Sequence, residues 1–324
     1  MDVARVAIIG CSRIAQRKFL PALLACETAK VQVVASRSYE RSQAIAERFG
    51  GVPTVGYSEA IRRDDVDVVY ISTPNATHPK LIEEAARAGK DVLCEKSLAT
   101  TFHDAEDAVS EARLRNIALM EGFMYQHHPQ HELIRDIIRR GDIGEIRIVK
   151  SHFGFPPLPA DDIRYDHSLG GGALLDAGTY PLHVCRMILG GQPTVRGAVL
   201  SSGNFDVDIS GAALLEGNDW GFGQVAFGFE HSYRNYYEVL GSEGTVLTDR
   251  AFSVPHDFMP TVRLQRSGNV TEFKIPPADQ FRIQLDVFLR GRGDEEQRAS
   301  WLDEILAQAK LVDSVRLTAC KSNE

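Results

Sequence analysis

Short apolar runs alternate with amphipathic stretches through the first third of the chain. Residues 3–9 form an apolar run closed by Gly10, and residues 14–25 carry a helical pattern. The β-branched run "VQVVAS" is followed by the helical "SYERSQAIAERFG", which stops at Gly50. A weaker strand, "VPTVG", comes next. "DVDVVYIST" then predicts a strand, and "HPKLIEEAARAG" a helix with Gly89 at its C′ position. "KDVLCEK", the helical "FHDAEDAVSEARLRN" and "IALMEGF" complete the series. Near-continuous apolar strands alternating with helices predict a doubly wound parallel sheet covered on both faces.

The pattern changes after Phe123. A helix is expected over 130–140, leading into "IGEIRIVKSHFGF", and from Thr194 onward strands are separated by glycine turns. Hairpins are expected at Gly217-Asn218-Asp219 and around Ser242-Glu243-Gly244. "WLDEILAQAKLVDSV" places Trp301, Ile305, Leu306, Ala309 and Val312 on one helical face. The fold class is therefore α/β plus α+β. Residues 1–123 make a dinucleotide-binding Rossmann domain, and residues 124–324 an open antiparallel sheet domain with flanking helices for substrate binding and oligomerisation. A ligand is expected in the crevice at the carboxyl ends of the parallel strands.

Composition narrows the function classes. The chain has 324 residues, 44% hydrophobic and 25% charged, with a formal net charge of -8 and no basic cluster. That balance argues against a nucleic-acid partner or an anionic membrane surface. No apolar run is long enough to span a bilayer, and the start "MDVARVAIIG" lacks a signal-peptide core. The five cysteines are scattered with no C-x-x-C pair, as expected of reduced thiols in a cytoplasmic protein.

The loop Gly10-Cys11-Ser12-Arg13-Ile14 follows the first strand and opens a helix, as a cofactor loop does. Gly10 serves the sharp turn, and Ala15 serves the close helix–strand packing. Ser12 stands where a glycine normally lets the pyrophosphate approach, so its side chain either turns away or donates to a phosphate. The second strand ends in Ser36-Arg37, with Arg41 one turn on, where an NAD site wants Asp or Glu. A hydroxyl and guanidinium there suit a 2′-phosphate, so the expected cofactor is NADP(H). Thr73, Pro74, Asn75 and His78 follow the "VVYIST" strand and line the same crevice. Asn75 is expected on the nicotinamide side and His78 as a cap of the next helix.

Six segments in order, the glycine loop, "STPNATH", "LCEKSLA", "EGFMYQHHP", "IGEIRIV" and "GGGALLDAGTY", resemble the Gfo/Idh/MocA oxidoreductase family. The resemblance implies a Rossmann domain, an open sheet domain, a nicotinamide cofactor and hydride transfer on a sugar or polyol. "GFPPLPADDIRYDHSLGGGALLDAGTYPL" and "YRNYYEVLGSEGTVLTDRAF" are most similar to the nucleotide-sugar ketoreductases of deoxysugar biosynthesis, which reduce a keto group of a dTDP-linked hexose with NADPH. A free-sugar, polyol or trans-dihydrodiol dehydrogenase is the alternative enzyme. A non-catalytic NADP-binding sensor is the alternative of another class.

Ketone reduction needs a cation near the carbonyl oxygen and a proton donor for the new alkoxide. Lys96, just past a parallel strand, fits the cation, and the family's "EKP" motif implies a catalytic lysine there. Ser97 replaces the family proline; a cis turn before serine would cost about 2.5–4 kcal/mol. Tyr180 is the expected proton donor, at a place where the resemblance implies histidine or tyrosine. Asp176, one helical turn before Tyr180, either orients substrate or caps the helix. Glu95 either contacts the nicotinamide ribose, shapes the turn around Lys96, or forms a structural salt bridge. Tyr125 and His127 are expected on the substrate side, and Arg164 and Arg234 either as partners of a substrate diphosphate or as surface ion pairs. His127 and His131 lack the further ligands a metal needs, so no metal is expected. A sheet face carrying Trp220, Phe222, Phe227 and Phe229 is expected to be covered in a homodimer or homotetramer.

Overall fold

The structure is a computed structural model that describes residues 3–218 and 221–321. The chain divides into two compact units, Met1–Met124 with Phe281–Leu306, and Tyr125–Gln280 with Ala307–Glu324. Where the sequence pattern assigns 124–324 to one domain, residues 281–306 group with the first unit instead.

In the first unit β1 (Ala4–Ile9), β2 (Ala29–Ser36), β3 (Val52–Val55), β4 (Val68–Ile71), β5 (Asp91–Glu95) and β6 (Leu119–Gly122) form one sheet in the order β3-β2-β1-β4-β5-β6. All of its pairings are parallel. The helices between strands are α1 (Leu20–Leu24), α2 (Tyr39–Phe49), α3 (Tyr57–Ile61), α4 (His78–Arg87) and α5 (Phe102–Arg115). α2 begins because Ser38, in extended geometry, accepts a hydrogen bond from the Arg41 N–H. Pro53 sits in β3, an edge strand, where a missing N–H does not break a ladder. The strand order reverses direction at β1, so the loops after β1 and β4 leave adjacent strand ends at the switch point.

The second unit starts with α6 (Pro129–Arg139) and builds a sheet from β7 (Ile146–Gly154) and β8 (Thr194–Ser201) through β9 (Ser210–Glu216), β10 (Phe222–Gly228), β11 (Arg234–Gly241), β12 (Gly244–Thr248), β13 (Thr261–Arg266) and β14 (Asn269–Lys274). The order is β14-β13-β12-β11-β7-β10-β9-β8, antiparallel except between β7 and β10. α7 (Thr179–Leu189) lies between β7 and β8 in the chain and packs on β7 and β10. α8 (Gln280–Gly291) and α9 (Glu295–Lys321) complete the chain. The expected turn at 242–244 joins β11 to β12. β9 and β10 pair as expected, while Asp219 of their turn and Trp220 lie outside the described residues.

One expectation about this sheet is corrected. Phe227 and Phe229 are fully buried, and only Phe222 is exposed. Side chains alternate faces along a strand, so Phe222 and Phe227 in β10 point opposite ways. The outward face carries Val199, Ala212, Leu214 and Phe222.

Candidate active site

Two groups of side chains, one in each unit, carry the candidate chemistry. In the first unit, Gly10 has φ +97°, and a Cβ there would lie 2.9 Å from Thr73 Cγ2 and 3.2 Å from the Ser72 backbone. Only glycine fits this turn. Gly10 N–H donates to Ala35 O (3.1 Å), closing β1 against β2. The Ser12 hydroxyl accepts from Ala15 N–H (3.1 Å), so the serine turns inward to start the helix. Cys11 Sγ donates to Arg41 O (3.7 Å), drawing the loop to the start of α2. Arg13 is exposed and Ile14 half-buried beside it.

At the end of β2, Ser36 is buried and its hydroxyl accepts from Ser38 N–H (3.3 Å), while Arg37 and Arg41 are exposed. Gly56 N–H donates to Ser36 O (2.9 Å), which brings the next residue, Tyr57, to the same place. Burial pushes the Tyr57 phenol up, and the Arg37 guanidinium beside it pulls the other way. Sequence reasoning missed Tyr57, although an aromatic directly after a strand-ending glycine was a usable signal. Ser36, Arg37, Arg41 and Tyr57 together make a cationic, hydrogen-bonding cluster, suited to a phosphate monoester, while the nearby Glu40 carboxylate accepts from the Ser38 hydroxyl.

The loop after β4 and the turn after β5 are joined through His78. Its ring is fully buried, with Nε2 2.7 Å from Thr73 O and Nδ1 3.0 Å from Ser97 O. Burial is the main reason its pKa falls to about 4. The Thr77 hydroxyl donates at 2.7 Å, within reach of both Thr73 Oγ1 and Pro74 O, holding the loop that carries half-exposed Asn75. Lys96 is half-buried, the Lys96–Ser97 peptide is cis, and Leu98 N–H donates to Glu121 Oε1 (2.8 Å) just beyond. Glu95 is buried and accepts from the Tyr70 hydroxyl (2.7 Å). Burial raises its pKa, against Tyr70 and Lys96. Its place in the sheet puts it directly before the turn that carries Lys96. Gly122 allows this, since a Cβ there would lie 3.2 Å from Glu95 Cα.

In the second unit, Tyr180 is buried at the start of α7, its ring enclosed by Tyr125, Phe153 and Phe252 at centroid distances of 5.8, 5.4 and 5.5 Å. Gln308 Nε2 donates to Thr179 O (3.0 Å), anchoring the helix start. Just before it, a Cβ on Gly178 would lie 2.9 Å from the Phe227 ring, so glycine lets this turn approach β10. Tyr125, expected to meet substrate, is instead fully buried, with its hydroxyl 2.7 Å from His183 Nδ1. Burial pushes the Tyr125 phenol well up and the His183 ring well down, so both groups are held neutral.

Arg164 takes the ion-pair alternative. Its Nε donates to Asp176 (2.7 Å) and its Nη1 to Asp162 (3.0 Å), so the guanidinium is taken by two carboxylates rather than offered to a diphosphate. The same pairing makes Asp176 an anchor of the segment before Tyr180. Arg234 pairs with Gly154 in register, and period-two alternation puts it with Tyr236 and His152 on the sheet face opposite Phe153 and Tyr180. His127 is half-buried, and its Nε2 meets no hydrogen-bond partner among the described residues. Burial lowers its pKa to about 4. His128 caps α6, and His131 is held between Tyr237 and Ala251 O. Among the described residues no three metal-binding side chains converge.

Residues 4–123 match the oxidoreductase family with an NAD-binding Rossmann fold, and residues 131–247 match the Gfo/Idh/MocA C-terminal domain. The chain belongs to the Gfo/Idh/MocA family. Among its curated relatives, a dTDP-3,4-didehydro-2,6-dideoxy-alpha-D-glucose 3-reductase of Actinomadura kijaniata is 42% identical over 316 residues, covering 97% of this chain and 95% of the relative. One of the same name from Saccharopolyspora spinosa is 38% identical over 320 residues, covering 96% of each. A crystal structure of a 3-ketoreductase from Actinomadura kijaniata, in complex with NADP and TDP-benzene, matches with a TM-score of 0.94 at 42% identity over 98% of both chains. That ketoreductase has also been crystallised as a tyrosine-to-phenylalanine and as a lysine-to-alanine variant. No helix among the described residues is long and apolar enough to cross a membrane.

Proposed function

We propose that the chain is an NADPH-dependent 3-ketoreductase of a dTDP-linked deoxyhexose. The observation that carries this is the pair Lys96 and Tyr180. They stand in this chain with the same spacing as the lysine and tyrosine substituted in the 42%-identical ketoreductase crystallised with NADP and TDP-benzene. The residues present fit the cofactor: the Gly10 turn packs directly on the end of β4 at the switch point, where a Cβ would strike Thr73 and Ser72, and Ser36, Arg37, Arg41 and Tyr57 suit the 2′-phosphate.

NADPH, when bound, supplies the hydride. Lys96 donates from its ammonium to the carbonyl oxygen and favours the charge that develops there. Tyr180 gives its phenolic proton to the same oxygen, its ring held by three aromatic neighbours so that little orientation is left to arrange. The His78 ring lies between the carbonyl of Thr73, in the loop after β4, and that of Ser97, in the lysine turn. The exposed face bearing Val199, Leu214 and Phe222 is covered by a second copy of the chain. Sedimentation showing only 35.8 kDa particles would refute that part.

The test is NADPH oxidation, followed at the cofactor's absorbance, with the dTDP-linked 3-ketosugar generated in situ. Turnover with this substrate and none with free sugars or trans-dihydrodiols is expected. NADPH binding without turnover of any ketosugar would leave a non-catalytic sensor and overturn the proposal.

A further inference from the structure

We infer that His78 is a positioning residue that couples the cofactor loop to the lysine turn, with each ring nitrogen serving a different step of the reaction. The inference rests on the roles proposed above for Lys96 and for the loop at Thr73–Asn75. The ring stands at the first position of α4, a ten-residue helix with Pro79 fixing its start, so it is carried by a stiff element. β4 and β5 are neighbours, paired through Ile71 and Cys94, and both end just before the segments in question. Past those ends the ladder between β4 and β5 is over. His78 faces both, Nε2 toward Thr73 O at 2.7 Å and Nδ1 toward Ser97 O at 3.0 Å, with no exposed surface of its own.

Both partners are carbonyl oxygens, which only accept. A neutral ring has one N–H and serves one carbonyl at a time. Desolvation and the Lys96 charge nearby keep the ring neutral, while the two carbonyls favour its proton. The single hydrogen is therefore shared between a segment that meets the cofactor and a segment that carries the catalytic lysine. A purely structural histidine would matter to both segments alike. A coupling residue would not, because the two nitrogens can be replaced separately. An asparagine amide nitrogen stands close to the place of Nδ1, and a glutamine amide nitrogen close to the place of Nε2.

The experiment compares His78→Asn and His78→Gln with the unsubstituted protein. NADPH affinity is read by cofactor fluorescence, and kcat with the dTDP-linked 3-ketosugar. His78→Asn keeps a donor to Ser97 O and gives up Thr73 O. It is expected to raise the NADPH Kd about tenfold and to lower kcat by a smaller factor. His78→Gln keeps Thr73 O and gives up Ser97 O; kcat should fall about tenfold, with the smaller change in Kd. Equal effects of the two variants on both parameters would overturn the inference. So would loss of the folded circular dichroism spectrum in both, since each retains one of the two bonds. If the unsubstituted protein binds NADPH but turns over no ketosugar, the proposed function has failed, and the unequal Kd responses of the two variants decide the coupling by themselves.

Discussion

Replacing Arg164 with methionine separates a structural guanidinium from a substrate-binding one. Arg164 bridges Asp162 and Asp176 at 3.0 and 2.7 Å, and the two carboxyl side chains are 5% and 18% exposed. Asp176 is the larger influence on the Arg164 charge, which is held on well above its ordinary range. Methionine keeps most of the stem's packing but leaves two nearly buried carboxylates without their cation. Breaking a fully buried pair this way costs about 3–5 kcal/mol. Arg164 is itself 33% exposed, so water screens part of the loss, and a discounted figure of about 2–3 kcal/mol is expected. In a unit of this size that lowers the melting temperature by roughly 5–10 °C. Adding Asp162→Asn removes one of the stranded charges and should restore part of the drop. The gap should also narrow as the pH falls through the carboxylate range, because protonation discharges the stranded groups. The assay is thermal unfolding beside KM for the dTDP-linked sugar. An unchanged melting temperature with KM raised tenfold or more would refute this reasoning and return Arg164 to the diphosphate.

Arg37→Ala is expected to weaken NADPH binding by about ten- to a hundredfold, the worth of a charge-assisted contact, with little effect on NADH. Tyr57→Phe should act in the same direction by a smaller factor; parallel losses for both cofactors would remove these residues from the 2′-phosphate. Tyr180→Phe should lower kcat by about 10²–10⁴-fold, the range for a general acid, while melting stays close to that of the parent protein. Stability should decline as the pH falls from about 6.5 toward 4. The rings of His78, His127 and His128 are held neutral, with pKa values of about 4, so the unfolded chain binds their protons first. Each such ring contributes a slope of about 1.4 kcal/mol per pH unit inside that window, and flat melting temperatures from pH 7 to 4.5 would contradict the assignment.

What could be read along the chain was what depends on near neighbours. The alternation of β1 through β6 with helices, the Gly10 turn, Ser36-Arg37 at a strand end and Lys96 just past another are all set by local period and by glycine punctuation. The opposite faces of Phe222 and Phe227 were legible too, since their odd spacing in one strand settles it. Partners could not be read. Nothing in the run from Asp162 to Asp176 says that Arg164 turns back to both, because the glycine loop between them is what brings the segments together: Gly172 N–H donates to Arg164 O at 2.9 Å. Likewise no spacing links Tyr125 to His183, or sends residues 281–306 back to the first unit.

These two kinds of residue also divide the chemistry. The groups proposed to touch cofactor and carbonyl sit at strand or helix ends, where backbone direction alone aims them. The groups that hold them are mostly buried: Gln308 and Tyr125 act across long sequence separations, and His78 and the Asp162–Arg164–Asp176 bridge tie one loop to another. An end-positioned residue can be exchanged with its neighbours left standing, so its variants should lose rate before stability. A bridging residue leaves a buried partner unsatisfied, so its variants should lose stability with the rate. His78 falls in both sets, which is why its two nitrogens need to be tested one at a time.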